Sequence, residues 1–281
     1  LPLESIAPSR TAPFMSPFLR WAGGKKLLLP KLMPFVPEQF DHYYEPFMGG
    51  AALFFALGPK KATLSDINPH LSETFSVVRD NVEDVIAGLS ELKIDKAAYY
   101  QIRADRPHTP LQRAIRFIYL NKTCWNGLYR ENSKGEFNVP FGVRAKHAST
   151  DIICEPQKLR AASQRLQGVN LKVATFADSV ADAKSGDFVY FDPPYTVSHN
   201  ENGFIEYNAS IFSWSDQQNL ATIARDLMKR GCHVVISNAD HKAIHELYAD
   251  FRREKIERSS TIANNKSNRR TVTELVITNY D

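Results

Sequence analysis

The apolar run Phe188-Val189-Tyr190-Phe191 leads straight into Asp192-Pro193-Pro194-Tyr195, and this junction constrains the chain more than any other. Four large apolar residues in succession fit a strand buried on both faces, as inside a parallel sheet. Proline fixes φ and lacks a backbone donor, so the paired prolines end the ladder and forbid helix directly behind it. The strand end then presents a carboxylate, two carbonyls and an aromatic face to solvent. That set suits a planar molecule with an exocyclic NH2 group. The amino hydrogens donate to the carboxylate and a carbonyl, and the ring stacks on Tyr195. For a Pro-Pro pair alone, a turn without chemistry is the better reading; the flanking Asp192 and Tyr195 favour a site.

Other short, turn-bounded apolar runs read as strands of the same sheet: His42 to Phe47, Ala62 to Ile67, Leu171 to Ala174 and His233 to Ser237. Helical patterns lie between them. Gln217 to Met228 puts Leu220, Ile223, Ala224 and Leu227 on one face and stops at Lys229-Arg230-Gly231. Strands alternating with helices imply an open α/β sheet. The tail differs: Phe251 to Ser260 and Thr271 to Tyr280 are β-rich stretches around a polar linker, read as an antiparallel hairpin at the sheet edge. From Arg79 to Gly168 the alternation also lapses. That stretch carries helical patterns such as Leu111 to Leu120 and many basic residues, among them Arg103, Arg130, Lys134 and Lys146. It is read as a mostly helical insertion (79–168) between the two parts (18–78 and 169–281) of one α/β domain. Residues 1–17, rich in Pro, Ser and Ala, are expected to form a mobile leader.

Composition narrows the function classes. A net charge of +4 over 281 residues is compatible with a polyanionic partner but does not demand one. The three cysteines, Cys124, Cys154 and Cys232, are widely separated and lack metal-ligand spacing, so reduced thiols in a cytoplasmic protein and no bound metal are expected. No apolar run reaches membrane-spanning length.

Two segments look built for a nucleoside ligand. Tyr43-Tyr44-Glu45-Pro46-Phe47-Met48-Gly49-Gly50 follows a strand pattern and precedes the helical run Leu53 to Leu57, with Gly49 and Gly50 allowing a sharp turn and a close ligand approach. Asp66 closes the next strand, where an acid can accept from ribose hydroxyls. The full dinucleotide fingerprint is absent, which points away from NAD. Phe18-Leu19-Arg20-Trp21-Ala22-Gly23-Gly24-Lys25-Lys26 is not a P-loop, since Leu19 and Lys26 stand where glycine and a hydroxyl residue are required. A Trp beside Gly-Gly-Lys can instead stack on a cation or purine while the Lys holds a carboxylate. S-adenosylmethionine offers a sulfonium, a purine, a ribose diol and a carboxylate. Taken singly, either segment is equally an ordinary turn.

Taken in order, these motifs resemble the Dam-type DNA adenine-N6 methyltransferases. The resemblance is carried by Trp21-Ala22-Gly23-Gly24-Lys25, Glu45-Pro46-Phe47-Met48-Gly49-Gly50, Asp66-Ile67-Asn68, Asp192-Pro193-Pro194-Tyr195 and Ile236-Ser237-Asn238. Trp125-Asn126-Gly127-Leu128-Tyr129-Arg130 and Gly135-Glu136-Phe137-Asn138-Val139-Pro140-Phe141-Gly142 extend it through the middle of the chain. It runs from about Phe18 to Tyr280 in the family's motif order, with a target-recognition insertion between the cofactor motifs and the catalytic one.

The resemblance implies a Rossmann-like methyltransferase sheet and transfer of a methyl group from S-adenosylmethionine to adenine N6 in double-stranded DNA, in GATC, by a monomer. It implies that Asp192, Pro193 and Tyr195 hold the target adenine. Trp21, Ala22, Gly23, Lys25, Glu45 and Pro46 would line the cofactor site with Phe47, Gly49, Asp66, Phe176 and Asp192. Arg20, Lys122, Trp125, Asn126, Leu128, Arg130 and Asn132 would meet DNA, with Arg130 on a guanine edge. The rivals are a methyltransferase acting on an RNA adenine or a protein amide, a DNA adenine methylase with another site, and a non-catalytic DNA-binding relic. The intact Asp192 and Trp21–Lys25 sets argue against the last.

Overall fold

The computed structural model describes residues 14–21, 23–132, 134–142, 150–196, 212–259 and 271–281. Strands Tyr43–Glu45 (β1), Ala62–Asp66 (β2), Asn170–Val173 (β3), Phe188–Phe191 (β4), His233–Ala239 (β5), Arg252–Ser259 (β6) and Thr271–Thr278 (β7) form one sheet. Their order is β3-β2-β1-β4-β5-β7-β6. The pairs from β3 through β5 are all parallel, whereas β7 runs antiparallel to both of its neighbours.

The tail does form a hairpin, but only β6 is an edge strand; β7 is inserted between β5 and β6. The residue types account for this. Leu275, Val276 and Ile277 are fully buried and need sheet neighbours on both sides, while Arg252, Arg253, Glu254 and Lys255 are charges suited to an exposed edge.

The helices are Leu29–Leu32 (α1), Ala52–Leu57 (α2), Pro69–Asp80 (α3), Val82–Ser90 (α4), Lys96–Ala104 (α5), Pro110–Thr123 (α6), Pro156–Leu166 (α7), Phe176–Ser179 (α8), Trp214–Lys229 (α9) and Lys242–Leu247 (α10). Local chemistry starts them. Asn68 accepts from the His70 amide ahead of Pro69, and Thr109 accepts from Gln112 ahead of Pro110. Ser213 and Asp216 form a capping box, so the helix read at Gln217 begins at Trp214. Helix α3 crosses the 78/79 boundary expected for the insertion.

Side chains alternate across the sheet and feed two apolar clusters. Tyr43, Leu64, Phe188, Tyr190, Val235 and Val276 face a cluster built with α1–α7, centred on Phe18, Phe54, Phe55 and Phe75. Tyr44, Val189, Phe191, Val234, Ile236, Leu275 and Ile277 face the other, built with α9 and α10. Tyr99, Ile118, Tyr119 and Leu166 from the helical stretch belong to the first cluster, so these helices share the sheet's core. Of the leader expected over 1–17, residues 14–17 are described; Phe14 and Met15 rest half-buried against the same cluster. Among the described residues no helix is long and apolar enough to cross a membrane, and no cluster of three His, Cys, Asp or Glu could hold a metal ion.

Candidate active site

The chain moves outward from β1 through β2 to β3, then returns to β4 on the other side of β1. The order therefore reverses between β1 and β4, and the crevice beyond their carboxyl ends is where open α/β sheets bind ligands. Glu45 ends β1 and Asp192 follows β4, so pairing brings the two proline motifs to that crevice. Alternation then selects one face. Glu45, Asp192, Ser237 and Glu274 have the same parity as Tyr43, Tyr190, Val235 and Val276 on their strands.

Asp192, its side chain 18% exposed, receives Lys25 Nζ at 2.7 Å. Lys25 sits in a 3-10 turn (Lys25–Leu27) and is buried. Its ammonium also donates to the Gly23 carbonyl at 3.2 Å and lies 5.0 Å from the Tyr195 ring centroid. Glu274 completes the group: Oε2 accepts from the Tyr195 hydroxyl at 2.8 Å and lies 3.8 Å from Lys25 Nζ. Burial, reinforced by the charges of Glu274 and Asp192, pushes the Tyr195 hydroxyl well above its ordinary pKa, so it stays a donor. Pro193 is buried beside this group. Glu274 is thus a second carboxylate beside Asp192, absent from the residues expected here. Glu274 was missed because only the antiparallel pairing of β7, with Glu274 opposite Ala239, brings it to the crevice. The available signal was an acid inside the apolar strand Val272–Ile277.

Glu45 points into the protein. Its Oε2 accepts from the Tyr43 hydroxyl at 2.9 Å and from the Phe54 amide at 3.2 Å. Burial pushes its carboxyl up to about 8, against the pull of those two donors. In this conformation it braces the turn between β1 and α2. Gly49 in that turn has φ +43°, and a Cβ there would fall 2.5 Å from Cδ1 of Trp21. The indole thus lies on the glycine and stacks on Tyr129 at 5.7 Å between centroids. Asp66 Oδ2 accepts from Gly49 N at 3.2 Å and Oδ1 from Asn68 N at 3.0 Å. Burial raises its pKa and these amides lower it. Ile67, just past β2, and Val173, the last residue of β3, are 59% and 58% exposed. Phe176 stacks on Phe47 at 5.4 Å, and Phe212 packs edge-on against both. The structure therefore gathers Trp21, Gly49 and Asp66 around one loop. Ala22 lies outside the described residues.

The residues expected at DNA cluster past the end of α6. Trp125 is 47% exposed on a short turn whose Asn126 has φ 55°, and Leu128 is half-buried behind it. Arg130 is exposed, with Nε donating to Asn138 Oδ1 at 2.7 Å, which fixes the guanidinium plane. Asn132 spends its carbonyl on the amides of Lys134 and Glu136, shaping the tip of this arm. Arg20 is exposed, but its backbone is clamped: its amide donates to Asn121 Oδ1 at 2.8 Å, and its carbonyl accepts from Asn121 Nδ2 at 2.6 Å. Lys122 points away from solvent, paired with Glu155 at 2.7 Å, and burial lowers its pKa. The structure thus presents Arg20, Trp125, Asn126, Arg130 and Asn132 outward and draws Lys122 in. Lys146 lies outside the described residues.

Comparison with known proteins identifies the family. The family model for D12 class N6 adenine-specific DNA methyltransferases matches residues 21–262. The Type II methyltransferase M1.LlaDCHI of Lactococcus lactis subsp. cremoris is 36% identical over 277 residues, covering 95% of this chain and 96% of its own. The Type II methyltransferase M.MjaIII of Methanocaldococcus jannaschii is 37% identical, covering 95% and 99%. The DNA adenine methylase of Haemophilus influenzae is 34% identical, covering 92% of each chain. The chain belongs to the D12 class of N6 adenine-specific DNA methyltransferases.

Proposed function

We propose that this enzyme takes its methyl group from S-adenosylmethionine and delivers it to N6 of an adenine rotated out of duplex DNA, within GATC. The observation that carries the reading is the Asp192 carboxylate at the β1/β4 switch point, with Tyr195 beside it and the Gly49–Asp66 loop next to it. The residues present fit the donor. Asp66 is a half-buried carboxylate at a strand end, suited to ribose hydroxyls, and Ile67 and Val173 leave an exposed apolar shelf suited to a purine. Trp21 and Gly49 suit the remaining cationic end, while Lys25, expected at the donor's carboxylate, is turned to Asp192 instead.

When bound, the donor supplies an electrophilic methyl group on a sulfonium. The protein's task is the nucleophile. The adenine amino lone pair is delocalised into the ring, and holding both N–H bonds localises it. The Asp192 carboxylate and the Pro193 carbonyl are the acceptors for those bonds. Positive charge grows on nitrogen during attack, and Asp192 stabilises it. Tyr195 offers a stacking face, which offsets part of the few kcal/mol spent on unstacking the base. Trp125, on its exposed turn, would fill the gap in the stack, and Arg130 would read a guanine edge. A bidentate contact of that kind discriminates by about 1–3 kcal/mol.

The relatives named DNA adenine methylase and Type II methyltransferase both lie within this similarity. The test is methylation of duplexes that each alter one base pair of GATC. A wild-type preference for GATC, with Arg130→Ala relaxing it at one guanine, is the expected result. Equal loss on every duplex would make Arg130 a phosphate or structural residue. A wild type without that preference would leave adenine chemistry at a different site.

A further inference from the structure

We propose that Lys25 alternates between two carboxylates: it occupies Asp192 while the target pocket is empty and passes to Glu274 when the adenine arrives. The proposal rests on the adenine-N6 reading above. Lys25 Nζ lies 2.7 Å from Asp192 Oδ1 and 3.8 Å from Glu274 Oε2.

An ammonium donates to a carboxylate much as an exocyclic amino group does, so Lys25 at Oδ1 competes for the carboxylate the target needs. It also puts a positive charge where the reaction must develop another, and like charges at this range oppose each other strongly in a shielded site. The 2.7 Å contact therefore opposes the transition state, and drawing Lys25 off Asp192 relieves that opposition. Its side chain is 6% exposed, and a buried ammonium without a partner is costly. Glu274 supplies the partner. Its side chain is 2% exposed, and Nζ needs to shift by about one ångström to reach hydrogen-bond distance. The Tyr195 hydroxyl already donates to the same oxygen at 2.8 Å, so Glu274 also steadies the ring on which the base would stack. Glu274 is thus a positioning residue that acts through Lys25 and Tyr195.

Glu274→Gln separates the two effects. The amide keeps the size and an oxygen acceptor for Tyr195 but loses the charge that draws Lys25 away. In the full-length enzyme, kcat on duplex DNA is expected to fall by about tenfold or more. Donor affinity, measured by calorimetry without DNA, should stay within about twofold of wild type. Adding Lys25→Met to Glu274→Gln, at saturating donor, should restore part of kcat because the plug is gone. A second readout needs no turnover. With adenine or purine, which lacks the amino group, at the target position of otherwise identical duplexes, the ratio of binding affinities reports the amino-group contact; Lys25→Met should raise the preference for adenine and Glu274→Gln should lower it. Wild-type kcat in Glu274→Gln overturns the exchange, as does a double variant no faster than Glu274→Gln. Lost donor affinity in Glu274→Gln would make Glu274 a support of the cofactor site instead. If that variant does not fold, an unchanged adenine-over-purine binding ratio in Lys25→Met overturns the proposal by itself. Failure of the underlying reading looks different: the wild type would leave no methyl group on adenine.

Discussion

Asp192→Ala deletes the acceptor proposed for the reacting nitrogen, and loss of one preorganised charge-stabilising group costs about 10²–10³ in kcat. That loss is expected with the melting transition preserved; activity within about tenfold of wild type in a folded variant would sink the assignment. Asp192→Asn should also be severely impaired, because an amide opposes the developing cation less. Glu45 gives a second residue-level prediction. Its carboxyl is raised from 4.5 to about 8 by burial, so the folded state holds a proton that the unfolded chain releases. The stability this lends is complete below about pH 4.5 and drains away as pH climbs to about 8. Glu45→Gln cannot ionise, so its stability relative to wild type should rise across that window by up to about 1.4 kcal/mol per pH unit. Denaturant unfolding at pH 5 and pH 8 checks it; an unchanging difference would mean Glu45 titrates normally. Asp192 and Asp66 were legible in the sequence because each directly follows or closes an apolar strand. The inward turn of Glu45 was not, since nothing in Glu45-Pro46-Phe47 reveals that the Tyr43 hydroxyl and the Phe54 amide converge on it.

At the scale of elements, strands with large apolar runs were read closely; β4 spans Phe188–Phe191 as expected. Position within the sheet was harder. β7 lies inside because it pairs with β5, a contact between distant segments that no local pattern encodes. Helix α3 went unread although Asn68-Pro69, a cap followed by a first-turn proline, announces it. The contact between the Phe18–Trp21 segment and the end of α6 was equally hidden. Asn121 is 3% exposed and serves both polar groups of the Arg20 backbone, so one side chain joins the turn that carries Trp21 to the turn that carries Trp125. Asn121→Ala removes the partner of the Arg20 amide and carbonyl, and about 0.5–1.5 kcal/mol of stability should go with each lost bond. DNA discrimination should suffer alongside; a variant with wild-type denaturation midpoint would show that water replaces the amide.

For the molecule as a whole, a net charge of +4 predicts DNA binding that weakens with salt, through a limited set of phosphate contacts. Lys134 is exposed at the tip of the arm that carries Arg130. Lys134→Ala should weaken binding alike on all sequences and lower the log–log salt slope by about one. A sequence-dependent loss would instead make Lys134 a base reader. The continuity of the first apolar cluster has a separate consequence for inheritance. Tyr99, Ile118, Tyr119 and Leu166 pack in one body with Phe18, Phe55 and Phe75. A lineage acquiring a new target sequence could not therefore import residues 79–168 as a finished cassette. It would have to alter the exposed turn and arm in place, a few side chains at a time, while the buried seam stayed fixed.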